Sequence, residues 1–365
     1  MRLKVLYTIP NFDTAGSGKA LLKIATRLDP DRFEPHICCM HDRGPFFQVV
    51  RASGIPVHLF PYTADMSHRL KGLLHVLRTA RFFRKIRPDI IHSFHYAADY
   101  SEALAARLAG IKWVYTKKNM NWGGASKNGW RLRSWLANGI IAQNSDMLRD
   151  FFPGWKKVKL IPRGVDLEEF HPESDPVYPL PRQYRWVLCV ANLVPVKGVE
   201  TLLDAFRRLF VQFPDWRLAI VGDDRNAYAA QLKTTFADLV EAQQVVFTGK
   251  VLNVKDYLQQ ANLFVLPTLN KGRREGSPVS LLEAMAMAMP VLASAVPGIR
   301  DQLARFPELM FEPGNVEELT RKLQIWMQKD DNERHAMGLA LRREVEARFS
   351  IEREVHDHEA FYLGL

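Results

Sequence analysis

Residues 262–294 read NLFVLPTLNKGRREGSPVSLLEAMAMAMPVLAS. A short apolar run, NLFVLP, is followed by a polar glycine-containing segment, the helical pattern SLLEAMAMA and a second apolar run, PVLAS. Two apolar strands connected through a helix read as parallel neighbours, because parallel strands require a crossover connection. The rhythm continues on both sides. WVLCVAN, WRLAIVG and QVVFTG precede it, with VETLLDAFRRLFVQF as a helix among them, and ELMFE follows. Further upstream, LKVLYTI, EPHICCM, PVHLF, PDIIHSF, KWVYTK, GIIAQN and KVKLIP form an earlier series of the same kind. Such alternation predicts parallel sheets with helices on both faces. Two series predict two doubly wound, Rossmann-like α/β domains. Ligands of open α/β sheets bind beyond the carboxyl ends of the strands, so the two sheets are expected to face each other across a cleft.

The 365 residues suit two such domains, at roughly 150 residues per domain. HPESDPVYPLPRQYR packs four prolines into a segment without periodicity, as an exposed linker does. The expected division is an N-terminal domain at 1–172, a linker at 173–184, a C-terminal domain at 185–345 and a charged helical tail at 346–365 able to pack back on the first domain. An apolar fraction of 47% and a charged fraction of 25% belong to a folded globular chain and exclude disordered and fibrous classes. No stretch approaches the roughly 18 consecutive apolar residues of a spanning helix, and the opening MRLKVLYTIPNF is too short and too interrupted by charge for a signal peptide. Cys38, Cys39 and Cys189 lie in apolar strand-like runs without metal-ligand spacing, as expected of buried reduced thiols in a cytoplasmic protein.

Charge is uneven. Residues 1–170 hold 27 lysines and arginines against 14 acids, whereas the remainder holds 23 against 26. Within the basic half, SHRLKGLLHVLRTARFFRKIRP (67–88) carries seven cations and no acid, with Leu73, Leu74, Leu77, Phe82 and Phe83 at helical spacing. A basic amphipathic helix can lie on anionic lipid or grip phosphates, and the same pattern also suits a solvated helix packed on its own sheet. No nucleic-acid-binding signature accompanies the charge.

In the segment before SLLEAMAMA, Ser277 is placed to cap a helix whose first position is Pro278, leaving first-turn N–H groups and the positive dipole end for an anion. Glu275 precedes that helix and Glu283 lies on its second turn, where carboxylates can accept from the paired hydroxyls of a ribose or hexose. A capped helix with one surface glutamate reads the same way. Three other patterns are set aside. AGSGKA lacks the first glycine and final Ser/Thr of a phosphate-binding P-loop. Asp29-Pro30-Asp31 imitates a metal-binding pair of aspartates but stands where a turn is needed. Glu275 and Glu283 flank a phosphate site, whereas a hydrolase sets its carboxylates on opposite sides of the scissile bond.

Glu275 and Glu283, with seven residues between them, resemble the two-glutamate pattern of retaining glycosyltransferases of family 4. TAGSGKALLKIATRL, PDIIHSFHYAADYSEALAARLAG, LIPRGVDLEEF, ANLVPVKGVETLLDAF, LAIVGDD, VVFTGKV and ANLFVLPT resemble further segments of that family in order, so the likeness covers nearly the whole chain. It implies a GT-B-type fold and a retaining, metal-independent transfer of sugar from a nucleotide diphosphate sugar, with no cofactor, to a hydroxyl acceptor. The setting implied is bacterial-type glycoconjugate or cell-surface polysaccharide synthesis.

Residue by residue, the resemblance implies that Glu283 binds the nucleotide ribose, while Glu275 and the backbone of Gly276, Ser277, Pro278 and Val279 meet the sugar. Lys197 neutralises the diphosphate leaving group. The loop around Gly16 and Gly18 approaches the same phosphates through backbone N–H groups, and Gly249 falls on the donor side. Two positions depart from the pattern. Asn192 stands where the family has an arginine five residues before its lysine, with Arg273 or Arg274 as candidate replacements. Lys118 stands where many members place a sugar-contacting histidine, which makes His95, Lys118 and Asn119 local candidates, although His92 or His95 can equally be structural. The expected partners are a nucleotide sugar, a hydroxyl acceptor that can be lipid-linked, and the anionic inner face of the cytoplasmic membrane, but no nucleic acid. Other readings on the same scaffold are a sugar-nucleotide epimerase, a phosphorylase and an inactive nucleotide-sugar-binding homologue.

Overall fold

The structure, a computed structural model, describes residues 2–13, 15–44, 46–95, 97–121, 127–172, 179–251, 253–272 and 274–365. In the first half the apolar runs become β1 (Leu3–Ile9), β2 (Phe33–Cys39), β3 (Val57–Leu59), β4 (Ile90–Ser93), β5 (Lys112–Lys117), β6 (Gly139–Ala142) and β7 (Val158–Leu160). Between them run α1 (Ala15–Ala25), α2 (Phe46–Ala52), α3 (Arg69–Ile86), α4 (Ser101–Ala109), α5 (Lys127–Leu136) and α6 (Ser145–Phe151). The strands form one parallel sheet in the order β3-β2-β1-β4-β5-β6-β7. Side chains of β1 alternate between the faces, as strand geometry requires. Val5, Tyr7 and Ile9 pack with Leu21, Ile24 and Phe47 of α1 and α2, whereas Leu6 packs with Val76, Phe83, Ala103, Trp130 and Met147 of α3 to α6.

In the second half the strands are β8 (Arg185–Val190), β9 (Trp216–Val221), β10 (Val245–Gly249), β11 (Leu263–Leu266), β12 (Val291–Ser294) and β13 (Met310–Phe311). The helices are α7 (Val199–Arg207), α8 (Ala227–Thr235), α9 (Ala237–Glu241), α10 (Val254–Gln260), α11 (Val279–Ala286), α12 (Ile299–Gln302), α13 (Val316–Gln328) and α14 (Asp331–Arg348). This sheet is also parallel, in the order β10-β9-β8-β11-β12-β13. Both sheets reverse their order once, between β1 and β4 and between β8 and β11. At such a reversal neighbouring crossovers leave in opposite directions, which opens a crevice at the carboxyl ends of the two strands.

The chain packs as two units, Met1–Pro162 with Ile351–Leu365, and Arg163–Ser350. A capping box of Asp330 and Glu333 starts α14 in the second unit. The last helix, α15 (Ile351–Leu363), belongs to the first: the Tyr362 hydroxyl donates to that of Tyr7 at 3.2 Å, and the Glu359 carboxylate accepts from the Asp29 amide at 2.7 Å. Of the expected linker, 173–178 lie outside the described residues. Leu180 is buried and exchanges hydrogen bonds with the Gln260 side chain at 2.9 and 2.6 Å, so that stretch is fastened to the second unit. Asp29 and Asp31 form the turn between α1 and β2, with Asp29 Oδ1 accepting from the Asp31 amide at 2.9 Å. Among the described residues no helix is long and apolar enough to cross a membrane.

Candidate functional site

In the second unit the loops after β8 and β11, the strands that flank the reversal, are bound to each other. The Leu269 amide donates to the Val196 carbonyl at 2.8 Å. Gly198 has φ +62, and a Cβ there would lie 2.2 Å from the Pro267 carbonyl oxygen, so only glycine lets the two loops approach this closely. Lys197 stands at the end of a 3-10 turn, Pro195–Lys197, and its ammonium forms an ion pair with the Glu275 carboxylate. The two side chains retain 16% and 21% of their exposure. A pair in that intermediate setting is oriented by the protein and still reachable by an incoming anion. The same lysine is felt at the base of β8: burial pushes the Cys189 thiol up to about 12, against a partial opposing pull from Lys197.

The start of α11 differs from the sequence expectation. Pro278 is the N-cap and makes no side-chain cap bond; Ser277 is not the cap. Tertiary contact overrides the local rule, because Gln302 of α12, only 1% exposed, donates its amide to Ser277 Oγ at 3.2 Å and to the Pro278 carbonyl at 3.1 Å. The first turn of α11 thus has no side-chain cap competing for its N–H groups, which suits an anion better than a serine cap does. From the other side Gly298, with φ +83, sits where a Cβ would be 2.1 Å from the Gly276 carbonyl oxygen. Leu281, Leu282 and Met285 are fully buried. Burial of each such side chain contributes about 1.5–3 kcal/mol, so α11 holds its position and with it half-buried Glu283.

Asn192 is exposed just after β8, and its carbonyl accepts from the Val194 amide at 2.9 Å. Arg274 is half-buried, with its amide on the Gly272 carbonyl at 3.1 Å; Arg273 lies outside the described residues. Gly249 ends β10, and its carbonyl accepts from the Gly222 amide at 3.1 Å, tying the ends of β9 and β10. The sequence reading missed two supports of this edge. One is Gln302. The other is Asn226, which caps α8 through the Ala229 amide at 3.0 Å and donates its side-chain amide to the Leu193 carbonyl at 3.0 Å. An asparagine before a helix is a readable cap signal; its second bond is not.

In the first unit Gly16 and Gly18 lie in the first turn of α1, not in a loop before it. Gly18 is there for packing, since a Cβ would be 2.7 Å from the Phe12 ring, while the space beside Gly16 is open. His95 follows β4. Burial, then the charges of Arg133 and Lys118, bring its imidazole down to about 3, so it is neutral at physiological pH. Its carbonyl accepts from Arg133 at 2.8 Å. The Lys118 ammonium donates to the Phe94 carbonyl and lies 4.8 Å from the Phe94 ring centre, which brings Lys118 and His95 to the same turn. Asn119 is occupied differently: its Oδ1 accepts from the buried Lys117 ammonium at 2.9 Å. Both His92 nitrogens are engaged, at 2.6 Å from the Tyr362 hydroxyl and 2.8 Å from Thr116 Oγ1, which makes His92 a structural residue.

Residues 14–169 match the family described as Glycosyltransferase Family 4, and residues 171–343 the one described as Glycosyl transferases group 1. A mannosyltransferase of Corynebacterium glutamicum, described as GDP-mannose-dependent and acting on monoacylated alpha-(1-6)-phosphatidylinositol monomannoside, is 30% identical over 53% of this chain and 52% of its own length. An Escherichia coli UDP-Gal:alpha-D-GlcNAc-diphosphoundecaprenol alpha-1,3-galactosyltransferase is 23% identical over 74% of each chain. Against most of the curated relatives it matches, the chain spans about half their length or less. Among solved structures, Anabaena Alr3699/HepE in complex with UDP and glucose superposes with a TM-score of 0.83 over 100% of both chains at 18% identity, a likeness of fold. With both halves matched in order and a parallel sheet in each, the chain belongs to the family 4 type of glycosyltransferases with the GT-B fold.

Proposed function

We propose that this protein transfers a sugar, with retention and without a metal, from a nucleotide diphosphate sugar to a hydroxyl group of a lipid-linked acceptor in bacterial cell-surface glycoconjugate synthesis. The observation that carries the reading is the Lys197–Glu275 pair at the β8–β11 reversal, beside the uncapped first turn of α11. In the reaction the bond between the anomeric carbon and the diphosphate oxygen breaks, its electron pair leaves on the nucleoside diphosphate, and the acceptor oxygen bonds to that carbon as its proton passes to the departing diphosphate oxygen. Lys197 turns from Glu275 to the departing diphosphate, where negative charge develops. Glu275, released, accepts from sugar hydroxyls together with the backbone of Gly276 to Val279, and Glu283 accepts from the ribose. In the first unit, His95 is a neutral hydrogen-bonding group held beside Lys118. The named lipid-bearing acceptors of the two relatives support a lipid-linked acceptor, reached from the inner face of the cytoplasmic membrane through the basic first unit.

The test is a thermal-shift screen of nucleotide diphosphates and their sugars, followed by turnover with the stabilising donor. The anomeric coupling of the product by NMR reports retention, and a chelator reports metal use. Turnover of donor without any acceptor would speak for an epimerase, and donor binding without turnover under any condition for an inactive homologue.

A further inference from the structure

We propose that one face of the first unit, running from α3 across the ends of α4 and α5 to Trp155, docks on an anionic lipid bilayer with the leucines of α3 entering the acyl boundary. Gly72, Val76, Thr79, Ala80 and Phe83 are the buried side of α3. Phe82 and Ile86 are partly buried against the same core, but the four leucines of the helix turn outward: Leu70 is 80% exposed, Leu74 67%, Leu73 47% and Leu77 40%. The fold leaves much of this leucine stripe in solvent, so an apolar stripe packed on its own sheet accounts for only the other side of the helix. Beside the leucines lie exposed Lys71, Arg78, Arg81, Arg84 and Lys85.

The stripe does not end with the helix. The Arg84 guanidinium donates to the carbonyl of exposed Leu108, and the neighbouring Arg107 stacks 5.4 Å from the ring centre of Trp135, itself 64% exposed. Lys157 donates to the Trp135 carbonyl at 3.0 Å and lies 5.4 Å from the ring centre of exposed Trp155. Leucines flanked by cations, with tryptophans at the margin, are the composition of an interfacial surface: acyl chains take the leucines, anionic headgroups the cations, and indoles the boundary between them. A protein partner fits less well, because the centre of a protein interface is depleted in lysine and its anchor positions use leucine sparingly. The inference draws its purpose from the lipid-linked acceptor proposed above, but its test reads binding without turnover.

The described cysteines are buried, so a Leu74→Cys variant can be labelled selectively with an environment-sensitive fluorophore, with Gln48→Cys on α2, at the opposite face of the sheet, as its control. With vesicles of equal parts phosphatidylglycerol and phosphatidylcholine, the label at position 74 is expected to brighten and shift to the blue, and the control label to stay unchanged. Salt screens exposed charges over a length of about 10 Å at 0.1 M, so raising it releases part of the protein and leaves the fraction held by leucines. Leu73→Ser with Leu74→Ser, both exposed, should lose that salt-resistant fraction and lower partitioning roughly tenfold or more, with melting temperature and nucleotide binding unchanged. An unshifted label at position 74, equal binding by the serine variant, or binding to an acidic protein with none to vesicles overturns the proposal. Sugar transfer to a lipid-linked acceptor by a protein that ignores vesicles would defeat this inference alone; vesicle binding by a protein that transfers no sugar would defeat the transferase reading alone.

Discussion

The two sheets reverse in the same way and use the reversal differently. Between β8 and β11, Lys197 and Glu275 meet as a partly buried pair that keeps some solvent. Between β1 and β4, Glu102 and Arg133 are both fully buried: Thr8 and Ser93 hydroxyls donate to the Glu102 carboxylate, and Arg133 reaches Ser93 Oγ at 3.1 Å and the carbonyls of Asp99 and His95 at 2.6 and 2.8 Å. Burial pushes the Glu102 carboxyl up, with Arg133 and the two hydroxyls pulling back. A charge that a ligand must reach has to keep some solvent, whereas a charge that shapes a loop can be sealed in. On the proposed function, the first reversal is scaffold for the turn carrying His95, and the second supplies the chemistry.

If so, removing a charge at the first reversal should cost fold, and at the second, function. Arg133→Met leaves Glu102 buried without its cation and two loop carbonyls without a donor, a loss of about 3–5 kcal/mol for a broken buried charge interaction. Denaturant unfolding should show it, and Glu102→Gln added to Arg133→Met should restore part. Additive losses in that cycle would mean that the two side chains are not coupled. At the second reversal, Lys197→Ala should lower turnover by roughly two to three orders of magnitude, with Asn192 offering no second cation and the melting temperature little changed. A fall of less than about threefold, below the scale for one preorganised charge, would move the diphosphate contact to Arg273 or Arg274.

A smaller effect comes with pH. Burial holds His92 well below its ordinary value and His95 at about 3. Unfolded histidines take up protons near pH 6.5. Below that pH the unfolded chain binds protons that the folded one refuses, so stability should fall as pH drops from about 6.5 towards 3. Glu102 acts in the opposite sense, since its contribution is present below the ordinary value of 4.5 and lost as pH rises through its elevated one. The difference between wild type and His95→Gln in thermal unfolding across pH isolates the histidine: the variant should lose less on acidification. An identical pH profile would show that His95 is not held neutral.

Much of this contrast could be read in the sequence, and the unread part has a common cause. Apolar runs such as WRLAIVG and VVFTG announce buried parallel strands by themselves, and EGSPVSLLE announces its carboxylates. That Lys197 touches Glu275, 78 residues away, depends on strand order, which local pattern does not carry. Ser277 satisfied the capping rule and lost its place because Gln302, remote in sequence and without a motif, took the turn. Gly16 and Gly18 looked equivalent until Phe12 separated them. For α3, periodicity marked an amphipathic helix, but which leucines face inward depends on what packs beneath it.

The central claim is that the second unit holds the donor through the carboxylates around α11. Calorimetric titration of the donor found by screening, into wild type and Glu283→Ala in parallel, tests it most directly. Loss of hydrogen bonds to a charged acceptor costs about 1.5–3 kcal/mol, so the variant should bind the donor roughly ten- to a hundredfold more weakly at an unchanged melting temperature. Equal affinity in the two proteins would contradict the account.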